Sequence, residues 1–123
     1  MRHLFTGDTE LNAKFSTQWT CESRELKIYM AGDYADAKRI CKKFAFVHGD
    51  VCVSINEKEY IYRGGYEDGF EVTLINYPRK PFSYQKHRNY GSELAMTLCT
   101  ELHQLSFTMV YDGVAHYCSR FKD

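Results

Sequence analysis

Between Pro78 and Asn89 the chain runs Pro-Arg-Lys-Pro-Phe-Ser-Tyr-Gln-Lys-His-Arg-Asn, a stretch with both prolines of the chain, four basic side chains, a histidine, two rings and no acid. Basic groups interleaved with rings suit phosphate contacts combined with base stacking. They suit equally a protein interface anchored on arginine and tyrosine. Long loops in compact domains are usually functional or mobile. Arg79, Lys80, Phe82, Tyr84, Lys86, His87 and Arg88 are therefore the candidate partner-binding residues, although a solvated excursion without a ligand would carry the same residue types.

Other chemistry is sparse. His103 falls at the end of the second helical pattern, where a histidine suits the helix dipole. His116 and Cys118 share one face of a C-terminal strand, but two ligands do not make a metal site, so no metal and no cofactor are expected. Arg63-Gly64-Gly65-Tyr66 lies between strands rather than at the entry to a helix, which removes a phosphate-loop reading. The carboxylates near strand ends, Glu22, Glu25, Glu67, Asp68 and Glu71, become general-base candidates if an interface desolvates them. The sequence selects none of them, and the catalytic residues stay unassigned.

Sixteen basic and sixteen acidic side chains cancel, which excludes a general affinity for polyanions and an acidic surface that imitates DNA. Ten tyrosines among 123 residues favour a recognition surface, because tyrosine supplies contact area and a polar end at low entropic cost. The five cysteines form no CxxC pair and are odd in number, so neither a disulfide framework nor a zinc knuckle is written here. A reducing compartment fits them. With no apolar leader and no run of about 18 apolar residues, the expectation is a soluble cytoplasmic protein, in the host cytoplasm if viral.

The elements that must position these groups repeat. Residues 26–63 read strand (26–30), helix (34–48), strand (51–56), turn, strand (59–63). Residues 70–121 read strand (70–77), helix (90–105), strand (107–111), turn, strand (114–121). The first helix is framed by Asp33 as N-cap and Gly49 beyond its end, with Ala37, Ile40, Cys41, Phe44 and Val47 on one face. Leu94, Ala95, Leu98, Cys99, Leu102 and Leu105 form the matching face of the second, with Asn89 or Ser92 as cap. Alternation at Leu26, Ile28, Met30 and at Val51, Val53, Ile55 marks the sheet face that the helices cover. Asp112-Gly113 is a hairpin signal, and the Gly64–Gly69 stretch joins the repeats. A further strand at 15–21 would fold back on the first.

The expected architecture is α+β, a ferredoxin-like sandwich from tandem βαββ units, with an antiparallel sheet, two helices on one face and extra terminal hairpin strands. It forms one domain over 1–123, with an N-terminal segment (1–14) and halves at 15–63 and 64–123. The other face would carry Lys27, Tyr29, Cys52, Ser54, Thr73, Ile75 and Thr108.

Ala35, Ala37 and Cys41 on a small helix, then Asp50-Val51-Cys52-Val53, Tyr62-Arg63-Gly64-Gly65 and Asp68-Gly69-Phe70, together resemble the middle of the phage S-adenosylmethionine lyases, small ferredoxin-like proteins used against restriction. The resemblance spans residues 35–70 and implies a viral accessory protein. In that family the first strand pair supplies a tyrosine and a catalytic glutamate. Here Trp19 stands near the aromatic position and Glu22 and Glu25 fall out of register, so no catalytic residue is carried over.

The leading expectation is a small anti-defence inhibitor, phage-encoded and non-enzymatic, that binds a protein partner through the basic-aromatic segment and forms a homo-oligomer, with no membrane role. One alternative is a small-metabolite enzyme of the lyase type, acting at a subunit interface. Another is a single-stranded nucleic-acid module, for which Glu59-Tyr60-Ile61-Tyr62-Arg63 supplies tyrosines but not the basic-Gly-aromatic-Gly-aromatic run of an RNA-recognition motif.

Overall fold

In the computed structural model, which describes residues 14–120, the chain forms β1 (Glu25–Ala31), α1 (Tyr34–His48), β2 (Val53–Tyr62), β3 (Gly65–Ile75), α2 (Tyr84–Glu101), β4 (Ser106–Tyr111) and β5 (Val114–Ser119). α1 has the bounds read from the sequence because its punctuation is local. The Asp33 carboxylate accepts the Asp36 amide at 2.9 Å, and Gly49, at φ 71°, donates its amide to Ala45 O at 2.9 Å. Ala37, Ile40, Cys41 and Phe44 are buried. Val47, placed on the same face by periodicity, is 66% exposed.

α2 begins at Tyr84, not at Tyr90. Its cap is Ser83, whose hydroxyl accepts the Lys86 amide at 3.2 Å. Phe82 just before the cap stacks on His87 in the first turns, with ring centroids 6.3 Å apart and planes at 24°, the arrangement of a hydrophobic staple. Half of the expected 78–89 loop is therefore helix. At the other end His103 takes a left-handed φ of 56° and the Gln104 amide donates to Cys99 O at 2.9 Å, which stops the helix before the expected Leu105. Gly91 lets α2 lie close on β1: a Cβ there would run into the Leu26 side chain.

The five strands pair antiparallel in the order β2-β3-β1-β4-β5. The first four, with the two helices, have the ferredoxin-like connection, and β5 is added by the Asp112-Gly113 hairpin, both of whose residues have positive φ (53° and 71°). Two expected features differ. The strand, turn and strand over 51–63 are one strand, β2, because its polar middle Asn56-Glu57-Lys58-Glu59 lies on the sheet edge, where exposed charge is tolerated. The chain turns at Arg63-Gly64, so Gly65–Gly69 belongs to β3 rather than to a connector. The second unit thus keeps the strand-helix-strand-strand order, whereas the first has one strand fewer. The expected strand at 15–21 does not form, and Trp19 within it is 57% exposed.

Leu26, Ile28 and Met30 of β1 pair with Leu74, Val72 and Phe70 of β3, and these six side chains form the core with the buried faces of α1 and α2. Buried Asn76 ties the end of β3 to its surroundings: its amide nitrogen donates to Glu22 O and its side-chain oxygen accepts the Phe82 amide, each at 2.8 Å. No helix among the described residues is long and apolar enough to cross a membrane.

Candidate functional site

The expected 78–89 segment divides into surface and interior. Arg79, Lys80, Tyr84, Lys86 and Arg88 are exposed, whereas Phe82 and His87 are buried. His87 Nε2 lies 3.1 Å from Leu74 O; burial holds its pKa below the ordinary histidine value, against the opposing pull of that carbonyl. A neutral imidazole donating to a β3 carbonyl is a packing group, and these two residues leave the contact set. The sequence offers one warning of this, since Phe82 and His87 flank Ser83 at the spacing of a staple.

Three of the four cations that remain are seated on rings. Arg79 lies over Trp19 at 5.7 Å, Lys86 over Phe82 at 5.5 Å and Tyr90 at 5.8 Å, and Arg88 over Tyr111 at 5.3 Å. Such contacts fix a cationic head without neutralising it. Lys80 Nζ is 3.7 Å from Asp50 Oδ1.

A second constellation lies on the sheet face away from the helices. Register brings it together: Tyr29 pairs with both Glu71 of β3 and Thr108 of β4, and Lys27 with Thr73. Glu71 is buried there, with Lys27 Nζ 3.3 Å from one carboxylate oxygen and Lys58 Nζ 3.3 Å from the other. Burial pushes the Glu71 pKa up, but the two ammonium groups together outweigh it and hold the carboxyl below its ordinary value. Lys27 is raised in turn, chiefly by its hydrogen bond to Glu71. Beside them Tyr60 donates its hydroxyl to Phe70 O at 2.6 Å, and burial pushes its pKa up to about 12. Perturbed titratable groups gathered at one place mark a candidate site.

These groups border a groove of about 610 Å³ whose lining includes Tyr29, Tyr60, Tyr62 and Tyr117, together with Glu67 and His103; Phe107, at its margin, packs against the core on the other face. The Tyr62 hydroxyl donates to Glu67 Oε1 at 3.4 Å. Rings with carboxylates close by favour a flat aromatic ligand that bears a positive charge, since ring faces stack on a base and attract a cation. Of the five candidate carboxylates, Glu67 lines the groove and Glu71 lies next to it, opposite Tyr29. Glu22 and Glu25 remain well exposed, at 76% and 54% of the side chain, and Asp68 is exposed. Among the described residues no group of three or more His, Cys, Asp or Glu could hold a metal ion.

No family model matches the chain, and no curated protein does. Solved structures do match. A phage S-adenosylmethionine lyase in complex with S-methyl-5′-thioadenosine superposes with a TM-score of 0.59 at 12% identity, covering 86% of this chain and 98% of that one. A phage S-adenosylmethionine lyase in the apo state gives 0.56 at 12% identity, covering 88% and 100%. At such identity the likeness establishes the fold, α+β with the ferredoxin-like connection, over nearly the whole of the matched chains.

Proposed function

We propose that this chain is a phage-type anti-restriction protein whose chemistry takes place in the tyrosine-walled groove, and that the groove takes S-adenosylmethionine. The observation that carries this reading is the meeting of four tyrosines and Glu67 in one groove beside the buried Glu71. An adenosyl sulfonium offers what such a lining selects, a flat base to stack and a cation to face π-clouds and the Glu67 carboxylate. The lyase fold adds support, and a solved structure of that fold holds S-methyl-5′-thioadenosine. This reverses the preference for a non-enzymatic binder that the sequence suggests.

The reaction needs no group from outside the substrate. The substrate's own carboxylate oxygen attacks its γ-carbon, a C–O bond forms as the C–S bond breaks, and the electron pair goes to sulfur and cancels the sulfonium charge. Homoserine lactone and S-methyl-5′-thioadenosine leave, with no water or proton consumed. The protein's share is to hold the methionine arm folded for in-line attack and to keep water out, which is where proximity gains its rate. Restriction enzymes that use the same cofactor would lose it.

Incubation with S-adenosylmethionine and chromatography of the products tests the proposal. Homoserine lactone and S-methyl-5′-thioadenosine should accumulate in equal amounts. No turnover, together with no binding of S-methyl-5′-thioadenosine by calorimetry, would overturn it.

A further inference from the structure

The start of α2 is built against its own field. A helix N-terminus carries partial positive charge and favours acids, yet the first turn of α2 has no acidic residue. Lys86 and Arg88 lie at its start and Arg79 and Lys80 just before it, all four exposed. Behind them stands Arg24, whose side chain is only 13% exposed. Its Nη2 donates to Phe82 O at 2.8 Å, while Nε and Nη1 are buried without a hydrogen-bond partner, and the exposed Glu22 carboxylate approaches Nε at 3.8 Å. Five cations thus share one end of the molecule, and four of them lie against rings: Arg24 is 5.8 Å from the Tyr84 ring, as Arg88 lies over Tyr111, Arg79 over Trp19 and Lys86 over Phe82 and Tyr90. Charged heads already held in place lose less freedom when a partner arrives.

Acidic side chains decide which anion fits. Asp50 is 3.7 Å from Lys80, and Asp112 lines the same small hollow as Tyr84, Arg24 and Arg88. A phosphate backbone carries a charge at every nucleotide and needs an unbroken basic track; these two carboxylates interrupt it. The zero net charge of the chain also removes the long-range attraction that non-specific nucleic-acid binding relies on. A peptide can place its carboxylates between the fixed acids and its rings against Trp19 and Tyr84, which are 57% and 43% exposed. We infer that this surface docks an acidic, tyrosine-bearing segment of a partner protein, independently of the groove on the sheet face.

The test uses a fluorescein-labelled peptide of alternating glutamate and tyrosine, with a labelled thymidine oligonucleotide of equal charge alongside. Two variants are compared. One carries R79Q, K80Q, K86Q and R88Q, which keep the stems that pack on the rings; the other carries K38Q, R39Q, K42Q and K43Q, which remove the same charge from the exposed face of α1. The peptide should bind the parent and the α1 variant alike and the first variant about tenfold more weakly, with the melting temperature nearly unchanged. Failure of the parent to bind, equal loss in both variants, or an oligonucleotide bound as tightly as the peptide would overturn the inference. Turnover of S-adenosylmethionine by the first variant should match the parent, so a failure here is separable from a failure of the groove reading.

Discussion

Lys58 of β2 and Glu71 of β3 meet at 3.3 Å across neighbouring strands, and Lys27 of β1 closes on the other carboxylate oxygen at the same distance. One buried acid therefore ties three strands together by side chains as well as by backbone. Because the folded-state pKa of Glu71 is depressed, its contribution to stability is fully present above the unfolded glutamate value of about 4.3 and is lost as pH falls through the lower folded value. Glu71→Gln should cost about 1–2 kcal/mol at neutral pH, since it leaves two lysines without their partner in a half-covered site. Urea melts from pH 7 down to pH 2 should show the parent losing its advantage on acidification. Equal stabilities at neutral pH would refute the pairing.

Ser83→Ala should cost about 1 kcal/mol, the usual worth of a side-chain N-cap. Asn89→Ala and Ser92→Ala, at the positions that periodicity nominates as caps, should be nearly silent because they lie inside the helix. Chemical melts of the three variants decide where α2 begins.

How much was legible follows from where each signal sits. α1 could be read to the residue because Asp33 and Gly49 are local punctuation around an apolar stripe. The start of α2 could not, because Tyr84, Gln85, Lys86 and Arg88 face solvent and show no apolar period, while the residues that anchor them, Phe82 and His87, look like loop chemistry in a basic run. β2 read as two strands because polar residues on a sheet edge look like a turn. The groove is a product of register: Tyr29, Tyr60, Thr108 and Tyr117 come from four strands and share a wall only after β1 inserts between β3 and β4. Glu71 could be named as one carboxylate among five, but nothing in the sequence shows Lys27 and Lys58 closing on it.

Leu98 is fully buried on α2. Leu98→Asp places an unpaired charge in the core, which should cost several kcal/mol and prevent folding. A soluble Leu98→Asp protein with a cooperative melt would count against the helix-on-sheet packing.

β5 lies at the edge of the sheet, and its sequence Val-Ala-His-Tyr-Cys-Ser holds no Lys, Arg, Asp or Glu, with Val114 51% and Tyr117 73% exposed. Charge and proline are the usual means of blunting such an edge. We expect a homo-oligomer, most simply a dimer, in which this edge is covered. Light scattering across micromolar concentrations should give a multiple of 14.4 kDa, and Tyr117→Lys should shift the mass toward the single chain.

Tyr60 separates the groove's two contributions, its ring and its hydroxyl. The hydroxyl is committed to Phe70 O at 2.6 Å and its pKa is pushed up to about 12, so it stays a neutral phenol across the physiological range, and Tyr60→Phe should leave the pH dependence of S-adenosylmethionine cleavage unchanged there. Tyr60→Phe keeps the ring and loses one hydrogen bond to the β3 backbone, so S-methyl-5′-thioadenosine should bind nearly as before. Tyr60→Ala removes a wall of the groove, and since stacking on an aromatic side chain is worth about 1–3 kcal/mol per base, affinity should fall by about tenfold or more. Calorimetry on both variants gives the answer. If Tyr60→Ala binds as tightly as the parent, the adenosyl group does not stack on this wall. If Tyr60→Phe fails as badly as Tyr60→Ala, the hydroxyl matters to the ligand and not only to the strand.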